Sequence, residues 1–441
     1  MLQDGVDVPG VGAGPLCTLR RAIAKADTPC HGAPHAKPEW DEAVASGGMR
    51  DLRLDFFRGL ALWFIFVDHI PGNQIAWVTM RNFGLSDATE VFVFISGYTS
   101  ALVYSRILDQ HGWRFAAAKV LDRCWTLYIA YLFLFIAFTA QVAYTARVFD
   151  NPLFTEEMGI AGFFADPAVS LVQALALKFR PANLDILPLY IVLLLSLPVL
   201  LPVLRRWPLA LLAGSVMLYA AARVLDWNLP TYPDGGVWFF NPFAWQLLFV
   251  LGATMQRLPK VAAALTKRRG TLLWLAGGYL FASLLLVTSW QIAPMAALMP
   301  MWLAEILYPI SKTDLDLLRL AHFCALAYVV LQIARFDSAW LRWPALAPVI
   351  LCGRQSLQVF CLGIFLSFAG QTVLNHWSAS LLAQFSVTLV GIAVMVAAAR
   401  MLTWYQSVGR PPRQPASAPP AAPAAPLAPA APMAPAKDPS A

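Results

Sequence analysis

Arg58 and His69 stand eleven residues apart in the apolar stretch RGLALWFIFVDH. At about 100° per residue, a helix brings both within about 20° of one face. At about 1.5 Å per residue they are separated by roughly 16 Å along the axis, about half the hydrocarbon core of a bilayer. A guanidinium supplies a permanent cation for an anionic ligand, and an imidazole supplies a base that titrates near neutrality. Ionisable side chains inside an apolar span mark function. Asp68 adjoins His69 but lies about 80° from the Arg58 face, so a dyad within the helix is disfavoured. Glu90, on the next apolar segment, is the better orienting partner for His69.

The elements that position these residues are membrane helices. The chain has 441 residues, of which 59% are apolar and 13% charged, with a net charge of +7. Such a composition belongs in lipid, and the basic excess marks cytoplasmic loops rather than nucleic-acid binding. The six cysteines form no CxxC pair. Cys17 and Cys30 precede the apolar region, and Cys124, Cys324, Cys352 and Cys361 read as buried structural residues. Neither a metal nor a permanently bound cofactor is expected.

Ten apolar segments follow one another at about 54–71, 86–105, 122–146, 185–204, 208–225, 239–257, 271–289, 317–336, 351–373 and 380–402. Each is close to the roughly 17–25 residues of a spanning helix. Pro188, Pro198 and Pro202 predict a kink or break in the fourth. Basic residues fill alternate connections: Arg50 and Arg53, then Arg106, Arg114 and Lys119, then Arg205 and Arg206, then Arg257 to Arg269, then Arg342, then Arg400 and Arg410. The opposite loops are acidic or nearly neutral. By the positive-inside rule both termini are cytoplasmic. The fold class is thus all-α, a polytopic membrane protein of about ten spans. Residues 1–48 read as a disordered extension without a secretory signal, and Met49 is a candidate alternative start. Residues 49–405 form the membrane domain, and 406–441 a Pro/Ala-rich disordered tail.

Orientation sorts the polar residues by depth. Arg50, Arg53, Arg58, Arg123 and Arg354 fall towards the cytoplasmic side. His69, Asp87, Glu90, Lys312, Arg319 and His322 gather towards the outer side. Simpler structural readings exist for several: Arg58, Arg123 and Arg354 as snorkelling anchors, His322 as a core histidine, His376 as a solvated loop residue. Arg319 as the partner of Asp316 and Ser96-Gly97 as a small-residue helix contact belong with them.

The stretches RDLRLDFFRGLALWFIFVDHIP, EVFVFISGYTSALVYSR, SKTDLDLLRLAHFCALAY and CGRQSLQVFCLGIFLSFAG resemble, in this order, the OpgC family. Its members are membrane proteins that succinylate osmoregulated periplasmic glucans. The likeness covers roughly residues 49–405. More distantly, Arg58-x10-His69 and FVFISGY are similar to the acyltransferase-3 superfamily, with Glu90 where Asp is commoner. The resemblance implies an inner-membrane acyltransferase carrying an acyl group, succinyl above all, from cytosolic acyl-CoA to a periplasmic glucan. His69 and Glu90 would then be catalytic, with His69 the general base on a sugar hydroxyl or an acyl-carrying nucleophile. Arg50, Arg53, Arg58, Arg123 and Arg354 would bind the donor. Arg319, His322 and Lys312 would meet the acyl carboxylate or the acceptor. The alternatives are O-acetylation of another envelope polysaccharide or lipid-linked sugar, and transport of an anionic glycan or lipid.

Overall fold

A computed structural model describes residues 51–408 apart from 234, 259–260, 262–268, 298 and 335–337. The fold lies within the unit Leu52–Ala441. The expectations for residues 1–48, for Arg50 and for the tail beyond Val408 lie outside the described residues.

A helix lies in every one of the ten apolar segments, and among the described residues there is no strand. The chief helices are α1 (Leu52–Asp68), α2 (Ala88–His111), α3 (Trp113–Val148), α4 (Ile186–Arg206), α5 (Pro208–Val224) and α6 (Pro242–Arg257). They continue as α7 (Arg269–Gln291), α8 (Leu317–Ile333), α9 (Ala347–Arg354), α10 (Ser356–His376) and α11 (Leu381–Val408). Among the described residues six helices are long and apolar enough to cross a membrane, within α2, α3, α4, α7, α10 and α11. These mark a membrane protein. α3 shows the reason plainly. Leu121, Trp125, Ile129, Phe133 and Ile136 form an exposed stripe, while Val120, Leu127, Tyr131, Leu134 and Phe138 are buried on the opposite side. An exposed apolar stripe of this length suits lipid rather than water.

Helix ends follow from local chemistry. Asp87 accepts a hydrogen bond from the Thr89 amide and caps α2, and Glu90 returns to the Asp87 amide to complete a capping box. Asn241 and Asp316 cap α6 and α8 in the same manner. The fourth segment runs as one continuous helix, so of the expected kink or break the break does not occur. Pro188 falls in its first turn, where a missing amide costs little, and Pro198 and Pro202 are accommodated inside it. The indole N–H of Trp113 donates to the Pro198 carbonyl at 2.8 Å. The ninth segment divides instead, at Gln355, into α9 and α10.

Glycines set two close helix crossings. A Cβ on Gly59 would strike the Val349 carbonyl, and one on Gly353 would strike the Asp55 carbonyl, so α1 and α9 meet backbone to backbone. Gly97 and Gly252 do the same for α2 and α6, against Phe249 and Phe94. Gly97 is therefore a helix-contact residue. Of the cysteines, Cys124 and Cys352 are buried, Cys361 is partly so, and Cys324 is exposed rather than buried. His376 is exposed, as expected, but ends α10 rather than lying in a loop, with its ring stacked 4.0 Å from that of Phe149.

Candidate active site

The capping box of α2 is also the centre of an ion network. Asp87 Oδ2 receives Lys312 Nζ at 2.6 Å and Arg319 Nη2 at 3.2 Å. Glu90 Oε1 receives Arg319 Nε at 2.9 Å and Nη2 at 2.6 Å, while Oε2 accepts the Asp87 amide at 2.9 Å. Glu90 is fully buried. Two carboxylates thus meet two cations, which is how ionised groups survive burial. Arg319 does not pair with Asp316; that carboxylate is taken by Arg223 at 3.0 Å.

The loop that carries Lys312 is fixed from below. The indole N–H of Trp245, itself buried, donates to the carbonyls of Lys312 and Thr313. The Asn241 side chain donates to Asp314, and its backbone N–H donates to the Thr313 carbonyl at 3.0 Å.

His69 follows the last turn of α1. Its Nδ1 lies 2.6 Å from the Ile65 carbonyl. A carbonyl can only accept, so Nδ1 carries the hydrogen, and in the neutral ring Nε2 keeps its lone pair. His69 lines a cavity of about 430 Å³ together with Asp68, Arg81, Asp87, Lys312 and Arg319. Asp68 accepts the Thr79 hydroxyl at 2.6 Å. The far wall comes from the end of α7, where Gln291 donates to Asn82 at 2.8 Å. A base with a defined tautomer therefore shares one chamber with two carboxylates and three cations. That arrangement can take a proton from a hydroxyl and hold a developing anion.

Several expectations are revised by these contacts. Glu90 does not orient His69: both its oxygens are occupied by Arg319 and the Asp87 amide, and the His69 ring is held by its own helix. His322 does not enter the cavity. It is buried behind the wall, where Nδ1 lies 3.2 Å from the Ser86 amide and 2.7 Å from its hydroxyl, and its ring fills the space a Gly84 side chain would need. It shapes the segment that leads into Asp87.

The cations at the opposite end of α1 do not share the cavity. Arg53 donates to the Ala334 carbonyl at 3.3 Å, Arg58 donates to the Thr99 hydroxyl on α2, and Arg354 pairs with buried Asp55 at 3.5 Å. Arg123 is half-buried on α3 and makes no hydrogen bond or ion pair with a described residue. Asp68, Arg81, Asn82 and Gln291 were not singled out by sequence as site residues. Asp87 had a visible signal, the D-x-x-E pattern at the start of an apolar run. Arg81, Asn82 and Gln291 carry none, because ordinary polar residues acquire a role only when the chain brings them together. Among the described residues no group of three His, Cys, Asp or Glu could hold a metal ion.

No curated protein matches the chain. Residues 50–407 match the family described as OpgC protein, and the chain belongs to that family.

Proposed function

We propose that this protein is an inner-membrane acyltransferase that carries a succinyl group from cytosolic acyl-CoA to a hydroxyl of a periplasmic glucan. Family membership supports the reading, and the single observation that carries it is His69, with Nδ1 committed to the Ile65 carbonyl in a polar cavity. The ten helical segments span the membrane with both termini in the cytoplasm, as the distribution of basic loops suggests. The cavity then opens on the periplasmic side.

In the proposed reaction His69 Nε2 accepts the proton of a sugar hydroxyl as its oxygen attacks the thioester carbonyl. The tetrahedral centre collapses by breaking the C–S bond, and the imidazolium returns the proton to the leaving thiolate. Lys312, 31% exposed, with its ammonium paired to Asp87 and 5.7 Å from the Phe240 ring centroid, meets the distal carboxylate of the succinyl group. Arg319 has its Nε–Nη2 edge filled by Glu90 and acts by holding the two carboxylates in place. His322 supports the wall through Ser86. At the cytoplasmic end Arg123 is the best placed cation for the donor phosphates, with Arg53, Arg58 and Arg354 around α1 and Arg50 before it.

One observation favours a second reading. Asp68, Asp87 and Glu90 balance Arg81, Lys312 and Arg319, so the site has no surplus cation among the described residues, which also suits an uncharged acetyl group. The test is purified full-length protein in proteoliposomes, supplied with succinyl-CoA or acetyl-CoA and glucan, with products read by mass spectrometry. Wild type should give succinylated glucan. His69→Ala should lower transfer by about 10²–10⁴-fold, the usual worth of a general base. Equal product from His69→Ala, or no acylated glucan from wild type, would reject the reading.

A further inference from the structure

A groove of about 290 Å³ adjoins the His69 cavity, and the two share Asp68, Arg81 and Asn82 on the wall between them. The groove is completed by Asn73, Gln74 and Trp77. We infer that it is a carbohydrate subsite, holding the sugar unit next to the one whose hydroxyl is acylated. This rests on the acceptor reading given above and extends it to a second position along the glucan.

Carbohydrate binding needs an apolar face for the C–H side of a ring and polar groups for its hydroxyls. Trp77 is 51% exposed and forms one wall. The exposed Gln74 side chain makes no hydrogen bond with a described residue, and exposed Arg81 makes one at 3.5 Å, to the Asp68 carbonyl. Asp68 offers its second carboxylate oxygen, the first being held by Thr79. These polar groups line the groove together with Trp77.

The segment that carries them is held firmly. Asn73 donates to Thr388 on α11 at 3.1 Å, the Gln74 amide donates to Gln384 at 2.7 Å, and Asn82 donates to the Ala76 carbonyl at 2.7 Å. Thr79 closes it onto Asp68. A platform fixed before the ligand arrives loses little freedom on binding. Val78 and Phe83 are exposed on the same segment at 67% and 55%, yet neither borders the groove. They suit a lipid interface, while Trp77 faces the groove beside the polar residues.

The experiment measures binding without any acyl donor. Full-length protein in nanodiscs is titrated calorimetrically with glucose and with gluco-oligosaccharides of two to four units. Wild type should bind the disaccharide more tightly than glucose by about tenfold, the worth of one aromatic stacking contact. Trp77→Ala should erase this length dependence, Trp77→Phe should restore most of it, and Gln74→Ala should reduce it. Retention of the preference in Trp77→Ala would overturn the subsite and leave Trp77 an interfacial anchor. Absence of a length preference in wild type would overturn it as well. Failure of the acyltransfer reading is separate: wild type would then bind oligosaccharides with the Trp77-dependent preference and still give no acylated product.

Discussion

Replacement of Arg319 tests the ion network most directly. The Arg319 side chain is 12% exposed and makes two bonds to Glu90 Oε1, at 2.9 and 2.6 Å, and one to Asp87 at 3.2 Å. In Arg319→Gln, the buried Glu90 loses both contacts to the guanidinium and keeps the Asp87 amide as its hydrogen-bond donor. Breaking a buried pair from one side costs about 3–5 kcal/mol. Glu90→Gln should cost less, about 1.5–3 kcal/mol, because Arg319 keeps Asp87 and the cap keeps an acceptor oxygen. The double variant removes the buried charge that made the first so costly. Its loss should therefore fall short of the sum by at least about 2 kcal/mol, a coupling typical of residues in contact. Melting in one detergent at one pH, for the four proteins, reads the cycle. Transfer by Arg319→Gln should fall alike with succinyl-CoA and acetyl-CoA, since the lesion is in the scaffold. Additive losses, or an Arg319→Gln protein that melts like wild type, would refute the network; selective loss of succinyl transfer would return Arg319 to carboxylate binding.

Lys312→Gln should lower succinyl transfer relative to acetyl transfer by about tenfold, the loss of one charge-assisted contact to the acyl carboxylate, measured by donor competition. Gly59→Ala forces a Cβ into the Val349 carbonyl and should destabilise the protein by about 1–3 kcal/mol, read as a lower melting midpoint with the α1–α9 crossing weakened. For orientation, a cysteine in place of exposed Val237 should react with an impermeant thiol reagent in intact cells, whereas one in place of Lys267 should react only after the membrane is opened; the reverse would invert the assignment of donor and acceptor sides.

The helices were legible because lipid demands long apolar runs, and ten such runs stand in the chain. Breaks were less legible. The three prolines of α4 suggested an interruption, but one falls in the first turn and the others lie within a continuous helix. The break came at Gln355, where no proline announces it and Gly353, two residues before, also serves a close helix contact; the Gln355 side chain reaches Thr403 and Gln406 on α11. Of the site, His69, Lys312 and Arg319 could be drawn towards one cavity from depth alone, and the structure brings those three together. Glu90 was visible as a buried acid but its partner was not, because a capping box and a catalytic pair look alike in a sequence until the neighbouring helix is in place.

The same helix carries both ends of the original stripe, and their surroundings divide its work. Over its first two turns α1 is tied to its neighbours by Arg53 at the Ala334 carbonyl, by Asp55 at Arg354 and by Arg58 at Thr99, with Gly59 and Gly353 letting α9 approach the backbone. At its other end Asp68 and His69 face a cavity, and the chain beyond them is fastened to α11 through Asn73 and Gln74. A helix clamped at one end and opening on a chamber at the other holds the imidazole at a constant depth. On the proposed reading, with substrates arriving from opposite sides, that matters because a base displaced by about 1 Å loses much of its rate advantage. Arg58 can therefore serve the reaction without touching either substrate, by fixing the helix that presents His69. Loss of activity on its replacement would then carry a fall in melting midpoint with it, whereas a cation that only bound the donor would raise KM and leave the fold alone.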